Sequence, residues 1–398
     1  MSRRRFHSAR ALLSDLLDRH ETRPAAVRLF CYPNVEGFAS VVDQDDFGAE
    51  LAVVERAGGI EVRRRRSGGV DQIESVRLLD PRAVYQHLGR TPAPETASRA
   101  IAVVQADVST LTLAEALDEV RSAWARGVSA LGLAPGDSAR LSVAARLAEA
   151  LAARVAGAEP APLDFRTFSR MVVGDSKALE RLARAVSALV KRLVPTMIAP
   201  EMESPEEIFG AFGVVRTPQP FLVSGALAID GVALPKLPYV GVPAEEAGRL
   251  SFVGQPAYVL IVENFTSFVR HARDINADFE GLVLYSSGFP SRSALRGITQ
   301  LARLSAAPTY HWGDIDLGGL RIFNHLERAL RAVDVRLKPH LMSHELLCRF
   351  GVTSRRRNWI SALKLPADTG LALLAESLLQ EPLDLELEQE AVAPTQPS

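Results

Sequence analysis

The chain reads as a multidomain protein, α+β over its N-terminal part and α/β over its C-terminal part, and three observations lead there. Between Tyr258 and Trp312, three apolar runs alternate with two helical patterns, the β-α-β-α-β order that builds a parallel sheet with covering helices. Between Ile60 and Leu79, two alternating segments flank Ser67-Gly68-Gly69, a hairpin signal preceded by helical patterns. The third is length: 398 residues leave room for about two or three cores.

Ala9 to Arg19 reads as a helix, and Gln44 to Ala57 as a second, with Phe47, Leu51 and Val54 at helical spacing and Gly58-Gly59 ending it. Ile60 to Arg66 and Gln72 to Leu79 follow as hairpin strands. Helices followed by such a hairpin suggest a winged-helix-like module over residues 1–90. Its wing strand would carry Arg63, Arg64, Arg65 and Arg66, set against DNA or against a protein partner. Pro81 to Gly89 closes the module as a helix, and Thr91-Pro92-Ala93-Pro94 reads as a linker. Leu111 to Arg126 and Ser138 to Val155 are amphipathic, the first with Leu113, Leu117 and Val120 on one face; they make a helical arm over residues 91–160. A middle domain, 161–245, follows the break at Gly157 to Pro162. Within it, Asp175 and Ser176 precede a helix running to about Leu193, where an N-cap role suffices.

The parallel α/β domain is assigned to residues 246–390, with a Pro-containing tail over 391–398. Tyr258 to Val262 is a continuous apolar run, the pattern of a strand buried on both faces, and Glu263 stands at its C-terminal end. A helix from Phe265 to Arg273, a strand from Gly281 to Ser286, a Ser287-Gly288-Phe289-Pro290 loop and a helix from Ser291 to about Leu304 follow. The next strand, Tyr310-His311-Trp312, runs into Gly313-Asp314-Ile315-Asp316. Side chains alternate along extended chain, so Asp314 and Asp316 point one way and Ile315 inward. Ligands of such sheets bind beyond the carboxyl ends of the strands, where Glu263, Asp314 and Asp316 converge. Carboxylate oxygens there suit a hard divalent cation, Mg²⁺ or Mn²⁺. The plainer reading is that an Asp after a strand caps the next helix, which suffices for Asp316. Two further carboxylates on that rim repel unless a cation or basic groups neutralise them.

A hydrophobic content of 47% and a mean hydropathy of +0.06 indicate a folded chain. No apolar run approaches the roughly 18 residues of a membrane span. Arg3-Arg4-Arg5 precedes an amphipathic helix instead of a secretory apolar region, so a cytoplasmic protein is expected. Cys31 and Cys348 lie far apart with no Cys-x-x-Cys partner; neither a disulfide framework nor a zinc ribbon is indicated, and both read as buried thiols. The net charge of −1 hides local fields. Arg63 to Arg66 and Arg355-Arg356-Arg357 are basic runs, while acidic residues crowd the stretch from Glu376 to Glu390. No Gly-x-x-x-x-Gly-Lys-Ser/Thr occurs, which argues against autonomous ATP hydrolysis.

The Glu263-Asn264 strand end, the Gly313-Asp314-Ile315-Asp316 signature and the order of elements resemble the Toprim domain, in the version found in the JetD (also called MksG) family of Wadjet-type systems. Gly174 to Glu180, Thr217 to Gly225 and Leu387-Glu388-Gln389-Glu390, taken as the close of the last helix, extend the resemblance over most of the chain. It implies a relative of the topoisomerase VI A subunit: a Mg²⁺- or Mn²⁺-dependent DNA endonuclease acting on double-stranded circular DNA. It further implies an SMC-type ATPase, a kleisin and a small winged-helix subunit as partners, and a homodimer. Under the resemblance Glu263, Asp314 and Asp316 are catalytic and metal-ligating. Glu388 or Glu390 are candidates to complete the shell, against the plainer reading of a solvated helix end. Lys177 and Arg355, Arg356 and Arg357 are candidates for gripping phosphates.

The tyrosines bear on mechanism. A topoisomerase-like enzyme attacks with a tyrosine hydroxyl, a nuclease with metal-activated water. None of Tyr32, Tyr85, Tyr239, Tyr258, Tyr285 and Tyr310 sits in a recognisable nucleophile motif, and the resemblance implies hydrolysis without a covalent tyrosine. A non-cleaving DNA-binding or scaffold subunit is the remaining alternative.

Overall fold

The structure, a computed structural model, describes residues 5–23, 28–34, 37–67, 70–107, 113–155, 161–354, 365–366, 368–380 and 384–398. It is a mixed α/β chain that divides into two compact units, Met1–Arg146 with Arg184–Leu193, and Leu147–Ala183 with Val194–Ser398. Among the described residues, no helix is long and apolar enough to cross a membrane.

In the first unit the helix Ala9–Thr22 begins at Ser8, whose hydroxyl accepts from Ala11 N, and buries Leu12, Leu13, Leu16 and Leu17 completely. The helix Val41–Arg56 adds Phe47, Leu51 and Val54 to the same core, the spacing that places them on one stripe. Gly58 takes the left-handed φ of +74° that turns the chain out of that helix. The hairpin Ile60–Ser67 and Val70–Leu78 then forms, with a register shift between Arg63 and Arg64, and joins strands Phe30–Pro33 and Arg5–Phe6 in a four-stranded sheet.

One expectation here is corrected. The stretch read as a linker enters a helix, Ala93–Asp107, with Ala97, Ala100, Ile101 and Val104 buried. Pro94 lies in its first turn, where backbone N–H groups have no intrahelical acceptor and proline costs little. The buried carboxylate of Glu21 accepts from Ala93 N at 3.1 Å. The arm helices run over Ala114–Trp124 and Ser138–Ala153.

The second unit is built on a six-stranded sheet in the order Val240–Val242, Phe221–Ser224, Leu282–Tyr285, Val259–Val262, Thr309–Trp312, Leu337–Pro339. The last four strands are parallel and the first two are antiparallel additions at one edge. The central strand Val259–Val262 is fully buried, which explains its unbroken apolar sequence. Helices Phe265–Arg270, Arg292–Ser305 and Leu317–Arg331 are the crossovers. Val262 is level with both Tyr285 and Trp312, so the three strands end flush and the residues after them share one rim. Two helices expected as single pieces are modified: the first crossover finishes in a π-turn over His271–Ile275, and the helix after Asp175 is divided into Ala178–Arg181 and Ala183–Leu193. Cys31 is buried, but Cys348 is exposed on the helix His344–Phe350, whose buried face carries Leu347 instead.

The core beneath the rim should tolerate little loss. Ile261→Ala, at a position with no exposed surface, is expected to destabilise by about 2–5 kcal/mol, read as a lower urea midpoint at unchanged slope.

Candidate metal centre

Neutral hydrogen bonds place Glu263, Asp314, Asp316 and Glu390. Glu263 follows the central strand, and its backbone N donates to Trp312 O across the ladder at 3.0 Å. Asn264, the next residue, caps the helix Phe265–Arg270 by accepting from Thr266 N and Ser267 N. Gly313 and Asp314 leave the neighbouring strand, and Ile315 pairs with Leu387 through hydrogen bonds of 2.9 and 3.1 Å. That bridge keeps the chain extended past the strand, with Ile315 buried and the two aspartates on the other side. Asp316 caps the helix Leu317–Arg331, its Oδ1 accepting from Gly319 N at 2.6 Å. Capping and membership of the acidic rim are thus compatible in one side chain.

The C-terminal segment completes the site and corrects an expectation. Leu387 to Glu390 does not close a helix: Leu385–Glu386 is a strand, Leu387 makes the bridge, and Gln389–Ala391 is a single 3₁₀ turn. Gln389, almost wholly buried, donates from its backbone N to Asp314 Oδ1 (2.7 Å) and from Nε2 to Trp312 O (2.9 Å), while its Oε1 accepts from Asn264 N (2.9 Å). Asn264 Nδ2 donates to Glu390 Oε1 at 2.6 Å. As a result one oxygen each of Asp314, Glu388 and Glu390 lie within 4.8 Å of one another, a triad with metal-ligating geometry. Glu263 and Asp316 stand outside that triad, yet close enough for their charges to act on it. The overlooked signal is Leu385-Glu386-Leu387-Glu388, a period-2 alternation that marks extended chain, not helix.

The electrostatics follow from burial and mutual repulsion. Burial, then the charges of Asp314 and Asp316, push Glu263 up to about 8. Burial pushes Asp314 up to about 7 against the Gln389 N–H that favours its charged form, with Glu388, Asp316 and Glu390 adding to the rise. Glu388 is raised as well, by burial first and then by Glu390 and Asp316. The charges that act most strongly on Glu263, Asp314 and Glu388 are all those of other carboxylates. An all-oxygen set of this kind fits a hard divalent cation, which would supply the missing positive charge.

The other site candidates fall elsewhere. Arg63 pairs with Glu74 at 3.2 Å, and Arg64 is held by Glu55, which also accepts from Val62 N. Arg65 is exposed on the same strand; the side chain of Arg66, and all of Arg355, Arg356 and Arg357, lie outside the described residues. Lys177 is exposed, and its backbone N donates to Asp175 Oδ1, the capping role expected of that aspartate. Of the tyrosines, Tyr258 is bonded to His271 at 3.1 Å, Tyr85 donates to Glu21 at 2.7 Å, and Tyr285 packs on Phe265 and Phe268.

Two outcomes follow. A carboxyl whose folded pKa is raised stabilises the fold fully below its ordinary value, 4.5 for Glu263, and loses that contribution as pH rises through about 8. The metal-free protein is therefore expected to lose Tm across this window, and Mg²⁺ to restore more Tm at its alkaline end than at its acid end, measured by calorimetry with EDTA or Mg²⁺. A Cβ at Gly319 would land on the Asp314 carbonyl oxygen. Gly319→Ala is expected to cost about 1–3 kcal/mol by overpacking and to weaken Mn²⁺ binding, which calorimetric titration measures.

Residues 223–396 match the family model described as Wadjet protein JetD, C-terminal. The Wadjet protein JetD of Bacillus cereus (strain Q1) is 27% identical over 187 residues, which covers 44% of this chain and 43% of that protein. The chain therefore matches less than half the length of this curated relative. The matched region contains most of the sheet, the rim acids and the C-terminal segment that joins them, and over it the chain is similar to the JetD family.

Proposed function

We propose that this chain is the metal-dependent DNA endonuclease subunit of a Wadjet-type defence complex and hydrolyses phosphodiesters of double-stranded circular DNA. The observation that carries the reading is the convergence of Asp314, Glu388 and Glu390, from two separate segments, beside Glu263 and Asp316 on the carboxyl edge of a parallel sheet. The parallel order of the four strands supports a Toprim assignment for this domain, and the helices before the hairpin support a winged-helix assignment at the N-terminus. An SMC-type ATPase, a kleisin and a small winged-helix subunit are the proposed partners, in the cytoplasm. Cutting both strands calls for two sites, hence a homodimer.

In this reading Asp314, Glu388 and Glu390 hold Mg²⁺ or Mn²⁺, with Glu263 and Asp316 flanking. A bound cation lowers the pKa of coordinated water and offsets charge that builds on the phosphate oxygens. The protein's own work is positional. Gln389 N–H fixes Asp314 Oδ1, and Gly319 N–H fixes Asp316 Oδ1. Glu263, ionised, orients the attacking water and takes its proton. Burial around these groups strengthens each interaction by excluding solvent.

The test incubates supercoiled plasmid with the protein and Mg²⁺ or Mn²⁺, with and without the ATPase partners. The Asp314→Ala/Asp316→Ala double variant is expected to lose cleavage by at least about 100-fold, since changes around a metal's ligands alone cost 10–100-fold. Glu388→Gln/Glu390→Gln is expected to weaken Mn²⁺ binding in parallel. Full cleavage by the aspartate variant refutes the assignment, and an intact complex that binds plasmid without ever cutting it identifies a scaffold.

A further inference from the structure

Behind the rim, Glu263 Oε2 and His311 Nε2 are buried without hydrogen-bond partners, while the imidazole also meets the Ile261 backbone, which favours its protonated form. These two atoms face the same spot. A Cβ on Gly313 would lie 2.6 Å from Glu263 Oε2 and 2.7 Å from His311 Nε2, so a residue without a side chain is what allows the carboxyl and the imidazole to close on each other. His311 has no exposed surface; it sits level with Ile261 of the central strand, and its ring meets Phe323 edge-on at 5.7 Å. An imidazole sealed in this way costs stability that an apolar residue of similar volume would not, unless some state of the protein satisfies it. Glu263 presents the complementary need: once ionised toward a cation, its rear oxygen is buried and requires a donor.

We propose that His311 is a positioning residue for Glu263, its Nε2–H donating to Glu263 Oε2 across Gly313 when the carboxylate turns toward a divalent cation. No proton changes hands; the bond fixes the carboxylate's rotation and leaves its other oxygen for the site. Burial pushes the ring's pKa down to about 3, so the donor is neutral and adds no charge that competes with the cation. A lysine or arginine at this point would compete. The inference rests on the proposed reading in which Glu263 flanks a cation held by Asp314, Glu388 and Glu390.

The experiment uses the full chain, with Mn²⁺ binding followed by electron paramagnetic resonance and with ¹⁵N-histidine spectra recorded in EDTA and in Mg²⁺. His311→Leu and Gly313→Ala are expected to weaken Mn²⁺ binding roughly 10–100-fold, and His311→Gln, whose amide can donate, to recover most of the loss. In the unsubstituted protein, Mg²⁺ is expected to move the His311 Nε2 signal to that of a hydrogen-bonded N–H. Unmoved His311 signals overturn the proposal even if a variant fails to fold. So does a folded His311→Leu that binds Mn²⁺ as tightly as the unsubstituted chain. Glu263→Gln tells the two layers apart: weaker Mn²⁺ binding there with none in His311→Leu sinks the histidine's role alone, whereas unchanged binding in Glu263→Gln removes Glu263 from the site and this inference with it.

Discussion

Carboxylates repel, and the rim of this sheet holds three of its five, Asp314, Asp316 and Glu390, by hydrogen bonds that carry no charge. Gln389 is the centre of the arrangement. Its backbone N–H holds Asp314 Oδ1, its Nε2 holds the last carbonyl of one strand, and its Oε1 holds the N–H of Asn264 just beyond the next. An amide can do all this because it is donor and acceptor at once. A guanidinium in its place would hold the acids more tightly and cancel their negative field. The site is thus ordered without being neutralised, and its protons near neutral pH are the mark of charge awaiting compensation.

That arrangement depends on the sheet's register. Val262, Tyr285 and Trp312 end level, so one short segment can reach the ends of two adjacent strands. A one-residue slip of the Thr309–Trp312 strand would turn Ile315 outward and the aspartates into the core, because side chains alternate. The Ile315–Leu387 bridge guards against this where the strand itself has stopped. A closing hydrogen bond from Gly319 N–H to Asp316 then hands the chain to its helix. The same backbone that folds the crossover therefore aims the acids.

The parallel core was legible because its strands are buried on both faces, which leaves runs such as Val259-Leu260-Ile261-Val262 with no polar interruption. Glu263, Asp314 and Asp316 were legible for the same reason, as the first charges after such runs. Glu388 and Glu390 were weighed only as marginal additions, since their proximity to Asp314 is made by a pairing more than seventy residues away in sequence, which no local pattern encodes. The helix Ala93–Asp107 escaped for a different reason: half of its buried stripe is alanine, a weak hydrophobic signal, and its proline, Pro94, sits where helices accept one. His311 shows a third kind of blindness. Its strand position is evident, but that its Nε2 is sealed against Glu263 depends on Gly313 and Glu263 converging in space.

On the proposed reading, a polyanion must approach a rim that is itself anionic, so the attraction has to come from other surfaces and from the cation. The arginine run of the hairpin divides unevenly for that purpose. Arg64 is bound by Glu55, which also accepts from Val62 N, so its charge serves to fix the hairpin onto the preceding helix. Arg63 is 77% exposed, and its ion pair with Glu74, itself 45% exposed, belongs to the class that contributes roughly 0–1 kcal/mol. A phosphate, which offers stronger charge-assisted hydrogen bonds to a guanidinium, can displace such a carboxylate at little cost. The bulge between Arg63 and Arg64 sits where these roles part. One basic run thus contains a structural arginine, Arg64, and an exchangeable one, Arg63, and the net charge of the chain reports neither.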